Sequence, residues 1–233
     1  MIKIEFLFPE ICGIYGDSIN AEYLSMCNKD TELIKDDIDK KPYFVSHKVD
    51  MIYMGAMMES NQEVVIDRLM PYKQRLSKLI EDGVIFVTTN NATEIFGNYI
   101  ERYNKKIECL GLLDFNTKYD YKHRHNSHFL GKFEETEIIG FKTQYSMIYD
   151  RKVDGLFSIT KGVGNNPEDE YEGVRKNNFM GTALLGPLFI QNPLFVKEIL
   201  KMLGLKDKLK YETEIMDAYK DRSIGYNHFL LGK

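Results

Sequence analysis

The stretch GVIFVTTNNATEIFGNYIERY, Gly83 to Tyr103, decides the fold. An apolar, β-branched run from Gly83 to Thr89 meets a polar corner at Asn90 and Asn91, and the pattern beyond it predicts a helix beginning at Ala92 or Thr93. Ile95, Phe96, Tyr99, Ile100 and Tyr103 recur at steps of three and four, the face that would pack on a sheet. A strand running through a sharp turn into a helix is an elbow. In enzymes it lifts one reactive side chain off the end of a sheet and aims helix N–H groups at the charge that develops there. Here asparagines occupy the seat, and a carboxamide is no nucleophile. The corner is an emptied active site, a well-capped helix, or both.

Two more runs, Ile2–Phe8 and Val49–Met54, are apolar without polar alternation, which predicts strands buried on both faces of a mainly parallel sheet. Helical patterns lie between the strands, near Ser18–Cys27 and from Asn61 to Asp82. Pro71 inside the second predicts a kink or a split. From Ile107 to Gly186 the pattern changes to Ile107–Phe115, Glu137–Tyr149, Leu156–Thr160 and Phe179–Leu185 with Gly, Asn and Asp between, predicting mixed or antiparallel strands. Asn192 reads as the cap of a helix with Pro193 at its first position and Gly204 at its end. Residues 1–205 are therefore expected to form one α/β domain. Residues 206–233 are expected to form a helical docking tail, with a short helix around Glu212–Tyr219 and a final Phe229-Leu230-Leu231.

A chain of 233 residues with 43% hydrophobic and 28% charged residues can bury one sizeable core. A net charge of −4, spread without long like-charged blocks, leaves no footprint for nucleic acid or an anionic bilayer. Lys3 and Glu5 inside IKIEFLF suit a buried strand and not a secretion signal, and no apolar segment approaches the length of a membrane span. The expected location is cytoplasmic. Cys12, Cys27 and Cys109 are scattered, with no close pair to suggest a metal knuckle or redox motif.

Seven pieces occur in order: FPEICGIYGDSIN, DMIYMG followed by ESNQE, the elbow, LGLLDFNT, IIGF, the loop GVGNNPEDEYEG, and GTALLGPLFIQNP. Together they resemble the glutamine amidotransferase domain shared by cobyric acid synthase and the glutaminase subunit of lipid II isoglutaminyl synthase, most closely the latter. The resemblance implies a flavodoxin-like class I glutamine amidotransferase-like fold. Its mainly parallel central sheet would be flanked by helices, with added mixed or antiparallel strands in the second half. It further implies a cysteine on the elbow, a histidine from a later strand, and ammonia passed to a ligase partner, with neither cofactor nor metal.

Position by position, the cysteine seat, counted back from Gly97, falls on Asn90, and the histidine seat before Gly186-Pro187 falls on Leu185. The glycine-rich oxyanion turn reads Gly55-Ala56-Met57, where two side chains restrict the backbone and fill the space a substrate carbonyl needs. Asn91 adjoins the empty seat, and the substrate segment becomes Lys142, Thr143 and Gln144. Asp17, a former support for the base, is expected to hold a turn or cap the Ser18 helix. Asn90 suits the corner because asparagine tolerates positive φ, and its amide can accept from the N–H groups that follow. Met57, Met58 and Leu185 predict an apolar pocket, which argues against glutamine binding. The resemblance thus implies a frame without its chemistry, a binding partner of a Mur-ligase-like or other ATP-dependent ligase, or of an active relative. The alternative is an enzyme that releases ammonia from glutamine, or cleaves another amide, through non-standard residues. Peptidoglycan amidation follows from the resemblance alone.

Other features read more plainly. Strand alternation leaves at most one of Thr88 and Thr89 near the pocket, without a matched histidine. His123, His125 and His128 form a metal-like cluster, but no acid or cysteine at a convincing spacing completes a zinc site, so an exposed polar loop is expected. GVGNNPEDEYEG lacks the lysine and Ser/Thr of a nucleotide loop, and its acids would repel phosphate. Tight turns or partner contact explain it.

Overall fold

A computed structural model describes residues 1–231, and side chains through residue 226. The first half contains β1 (Ile2–Leu7), α1 (Ser18–Met26), β2 (Thr31–Asp36), β3 (Met51–Met54), α2 (Gln62–Leu69), α3 (Lys73–Glu81) and β4 (Ile85–Thr89). Then come β5 (Tyr99–Arg102), β6 (Lys105–Glu108), β7 (Asn116–Tyr119), β8 (His125–Phe133), β9 (Thr136–Gln144) and β10 (Ser146–Tyr149). The chain continues through β11 (Asp154–Lys161), β12 (Tyr171–Lys176), β13 (Phe179–Thr182), α4 (Leu188–Gln191), α5 (Pro193–Met202) and α6 (Glu212–Leu231).

Nine strands make one sheet in the order β2-β1-β3-β4-β13-β12-β11-β8-β9. The half from β2 to β13 is parallel, and the half from β13 to β9 is antiparallel. A second sheet, β10-β7-β5-β6, is mixed. This is the α/β architecture expected, with β1, β3, β4 and β13 of the parallel part built from the apolar runs. Alternation sends successive side chains to opposite faces: Ile52, Phe86 and Phe179 enter one core, while Tyr53, Val87 and Met180 enter the other, against α1 and α5. Both faces are buried, as runs without polar alternation require.

Pro71 does split its helix: α2 and α3 are joined by a 3-10 turn over Met70–Tyr72. The helix expected after the elbow is absent. Two 3-10 turns, Asn90–Ala92 and Glu94–Phe96, lead directly into β5. The carbonyls of Ile95, Phe96 and Gly97, which a helix would offer to its next turn, instead accept from the N–H groups of Leu110, Leu112, Leu113 and Gly111. LGLLDF is accordingly a wrapping loop and not a strand, and Ile95, Phe96 and Ile100 are buried by different elements. The run Glu137–Tyr149 also divides, since β9 belongs to the large sheet and β10 to the small one. β13 stops at Thr182, before Leu185.

Asn192 precedes α5 but caps nothing with its side chain. Wholly buried, its amide accepts from the Ile139 N–H at 2.8 Å and donates to the carbonyls of Ile139 and Leu188 at 2.9 and 3.0 Å. It thereby pairs with the open edge of β9. The tail helix is longer than Glu212–Tyr219: α6 lies on β8 and β9, with Tyr219 packed on Leu130 and Ile139 and donating to the Glu137 carbonyl at 2.9 Å. The side chains of Phe229, Leu230 and Leu231 lie outside the described residues.

Asn192→Ala strands the N–H and carbonyl of Ile139 in the interior, while the Leu188 carbonyl keeps the backbone N–H of residue 192, so a loss of about 2 to 4 kcal/mol in urea unfolding is expected. A loss below about 0.5 kcal/mol would contradict this role for the amide.

Candidate functional site

The parallel strands β1, β3, β4 and β13 end at one rim, the place where open α/β sheets hold ligands. Their loops meet at Asp17, which is wholly buried. Its Oδ2 accepts the Ala56 N–H at 2.8 Å and the Thr89 hydroxyl at 2.5 Å, and its Oδ1 accepts from Asn20 at 3.3 Å. The Tyr53 hydroxyl donates to its carbonyl at 3.0 Å. Gly55 and Gly186 admit this side chain: a Cβ at Gly55 would lie 2.8 Å from the Asp17 Cβ, and one at Gly186 would strike the carboxyl itself. Asp17 therefore ties turns together, as expected, but does not cap α1 with its side chain. Burial pushes its pKa up to about 6, against the pull of its three donors.

At the elbow Asn90 holds φ of 50°, the positive value predicted for that seat. The predicted capping bond is missing. Its amide instead points to the Ala183 carbonyl at 3.5 Å. Asn91 closes on the turn after Gly55: its Oδ1 accepts the Met57 N–H at 3.0 Å and its Nδ2 donates to the Met57 carbonyl at 2.8 Å. The Ala56 N–H is spent on Asp17 and the Met57 N–H on Asn91, so neither amide faces a cavity as a free donor.

Beside Asn90 lies a cavity of about 10 Å³ lined by Thr93, Glu94, Lys142, Gln144, Ser146 and Asn165, together with Met147, Ile148 and Ala183. That is space for about one water molecule. Polar and apolar side chains share its wall, but none of Met57, Met58 and Leu185, the residues from which an apolar pocket was expected, is among them. Met57 is buried in the core, Met58 is exposed, and Leu185 is not in the lining, its N–H donating to the Phe141 carbonyl at 2.9 Å. Along β9, alternation turns Lys142 and Gln144 toward the cavity, while Thr143 pairs with Asn126 on β8 at 2.5 Å.

Lys142 is wholly buried and donates to the Gly164 carbonyl at 2.6 Å, with Glu172 Oε1 at 3.7 Å. Burial pushes its pKa down and Glu172 resists. Glu172 also accepts from the Thr182 hydroxyl at 2.6 Å and the Ala183 N–H at 2.8 Å, so the acid of the family loop is an internal strut. Glu94 accepts from Ser146, Gln62 and Tyr119 at 2.5, 2.8 and 2.8 Å. Burial pushes its pKa up, and these donors hold it back. No pattern in the chain singles out Thr93, Ser146 or Asn165; the one available signal is an acid, Glu94, set against the apolar pair Ile95 and Phe96.

The hydroxyls around the elbow have buried partners. Thr89 donates to Asp17, Thr88 and Thr93 share a 2.9 Å bond, and Ser146 donates to Glu94. Cys12 and Cys109 are buried with thiol pKa values pushed up, that of Cys109 to about 12. The histidines do not form one loop. His123 pairs with Asp120 at 2.7 Å, His125 in β8 meets the Ser127 hydroxyl at 2.8 Å, and the His128 ring packs on Phe141 and Tyr226. Among the described residues no three His, Cys, Asp or Glu side chains are grouped to hold a metal ion, and no helix is long and apolar enough to cross a membrane. In the family loop, Asn165 bonds Gly173 in both directions at 2.9 Å, turn chemistry as expected.

The raised pKa of Asp17 has a definite sign. Between about pH 4 and 6 the folded chain holds a proton that the unfolded chain has released, so this contribution to stability is full below about pH 4 and falls as pH rises through about 6. Glu5, buried beside Asp36 and pushed up to about 10, adds its own slope in any variant that retains it. The unfolding free energy of the protein relative to Asp17→Asn is therefore expected to drop by up to about 3 kcal/mol from about pH 4 to 7. A pH-independent difference would contradict the buried clamp.

Residues 4–193 match the CobB/CobQ-like glutamine amidotransferase domain. The chain is 27% identical, over 72% of its length and 69% of the relative's, to the lipid II isoglutaminyl synthase (glutamine-hydrolyzing) subunit GatD of Staphylococcus aureus. It is 25% identical to the same-named subunit of Streptococcus pneumoniae, over 94% and 86% of the two chains. Among solved structures it superposes on PurLQS from Thermotoga maritima with a TM-score of 0.55, at 12% identity over 95% and 98% of the chains. It superposes on a glutamine amidotransferase with a TM-score of 0.57, at 12% identity over 86% and 99%. At that identity the structural likeness speaks for the fold alone. The domain match spans most of the sequence and takes in the clamp, the elbow and β13, and on that ground the chain belongs to the CobB/CobQ-like glutamine amidotransferase family.

Proposed function

We propose that this chain is a noncatalytic member of its family, which acts by binding a ligase-type partner or an active relative and not by releasing ammonia. The observation that carries this reading is the closed elbow: the cavity beside Asn90 holds about one water, and the Lys142 ammonium is bonded into its wall. Three chemical requirements of glutamine hydrolysis go unmet there. A carboxamide stands in place of a thiol at Asn90, an isobutyl group in place of imidazole at Leu185, and the amides of Ala56 and Met57 are already engaged. Losing a nucleophile or base costs about a million-fold in rate, and losing oxyanion donors adds to it. The preserved frame supports a binding role, and the relatives' names as subunits of a synthase support a protein partner. By the same resemblance that partner is a Mur-ligase-like or other ATP-dependent ligase, and the process is peptidoglycan amidation.

Purified protein is expected to release no ammonia from glutamine and to show no mass increase after incubation with an electrophilic glutamine analogue. The double variant Asn90→Cys, Leu185→His is expected to stay inactive, because the amides and the cavity remain closed. Saturable ammonia release by the unaltered chain would overturn the reading. Native affinity purification is expected to recover an ATP-dependent ligase or an active relative in stoichiometric amount, and recovery of the chain alone would contradict the partner role.

A further inference from the structure

Away from the elbow, a groove of about 550 Å³ runs between the start of α2 and the β5–β6 hairpin. Its size is that of a small-ligand site. The hairpin turns on two residues, Tyr103 and Asn104, with φ of 51° and 58°. Such a turn selects glycine or asparagine, and a bulky residue in the left-handed region is strained. Tyr103 is nevertheless there, and it is 77% exposed. An exposed aromatic side chain held at a strained position is the kind of outlier from which function is inferred.

Tyr103 stacks on Tyr121 with centroids 4.5 Å apart and planes 7° from parallel, and Tyr121 packs on Tyr145 at 5.3 Å. The stack ends in one platform, the exposed ring of Tyr103, with Tyr145 tilted 38° from Tyr121. A 4.5 Å stack leaves no slot between its rings of the sort a proline-rich segment needs. Arg124 lies over the Tyr145 ring at 5.4 Å, outside the groove lining, and among the residues that line the groove the charges balance. Glu63 takes both Arg102 and Lys105, at 3.1 and 2.7 Å, and Arg102 is held further by the Glu59 carbonyl at 2.7 Å. Glu59 and Glu63 against Arg102 and Lys105 leave no net charge to attract a phosphate or a carboxylate. Glu59 and Ser60 remain at the rim as hydroxyl partners.

We propose that this groove is a binding site for a neutral carbohydrate of one or two pyranose rings, seated with a C–H face on Tyr103 and its hydroxyls toward Glu59 and Ser60. Aromatic faces carry partial negative charge and accept the weakly positive C–H face of a sugar. No residue of the groove lines the elbow cavity, so the site is independent of whether glutamine is hydrolysed.

Saturation-transfer difference NMR with cellobiose, maltose and N,N′-diacetylchitobiose at millimolar concentration tests the proposal, with adenosine as a flat aromatic control. At least one disaccharide is expected to give saturable transfer, and adenosine none. Tyr103→Gly removes the platform while relieving the turn. It is expected to raise the melting temperature and to weaken disaccharide binding by about tenfold or more. Absence of transfer from all three sugars, preference for adenosine, or sugar binding undiminished in Tyr103→Gly would overturn the proposal.

Discussion

One buried carboxylate holds the rim of the parallel sheet together. Asp17 reaches from the loop after β1 to the Ala56 amide after β3 and to Thr89 at the end of β4. The backbone of Gly186, after β13, lies against it. Four strand ends are thus fixed by one side chain whose donors lie within the protein. The arrangement needs no substrate and no thiol to be stable, so the frame can outlast its chemistry. The elbow shows the same independence, because Asn90 supplies the positive φ without a reactive group.

The polar groups around the elbow are paired with one another. Asn91 mimics a backbone partner for Met57, and Lys142 with Glu172 joins β9, β12 and the family loop. A buried ion pair is weak support for stability, since desolvation offsets most of its attraction. Its effect here is steric: the Lys142 side chain and its partners make up one wall of the elbow cavity. Glu94 extends the network through Gln62 to Arg102, so the elbow and the tyrosine groove are joined by hydrogen bonds although they share no lining residue.

The legible parts of the fold were those where local pattern and tertiary setting agree. Buried parallel strands are apolar throughout, and Pro71 cannot continue a helix, so β1, β3, β4 and the break between α2 and α3 could be read directly. The helix after the elbow was misread because Ile95, Phe96, Tyr99 and Ile100 have helical spacing, whereas their carbonyls are claimed by the Leu110–Leu113 segment, distant enough in sequence to leave no local trace. β2 and β8 escaped notice for a related reason: edge position and polar runs such as His125–His128 hide strands whose partners supply the pairing. Of the residues that motif order singles out, Asn90 and Lys142 line the elbow cavity, whereas Asn91 and Asp17 brace the turns beside it. Motif order could not reveal that Leu185 lies outside the cavity lining, that Thr143 points away, or that Ser146 and Asn165 enter the wall, since these depend on where β9, β10 and the loop meet.

The claim that the elbow is closed to glutamine is tested most directly by calorimetric titration of the purified chain with glutamine up to millimolar concentration. A flat titration is the expected result. A saturable heat that disappears when Lys142 is replaced by a bulkier residue would mean that the cavity opens to admit the amino acid, and the account of an emptied site would fail.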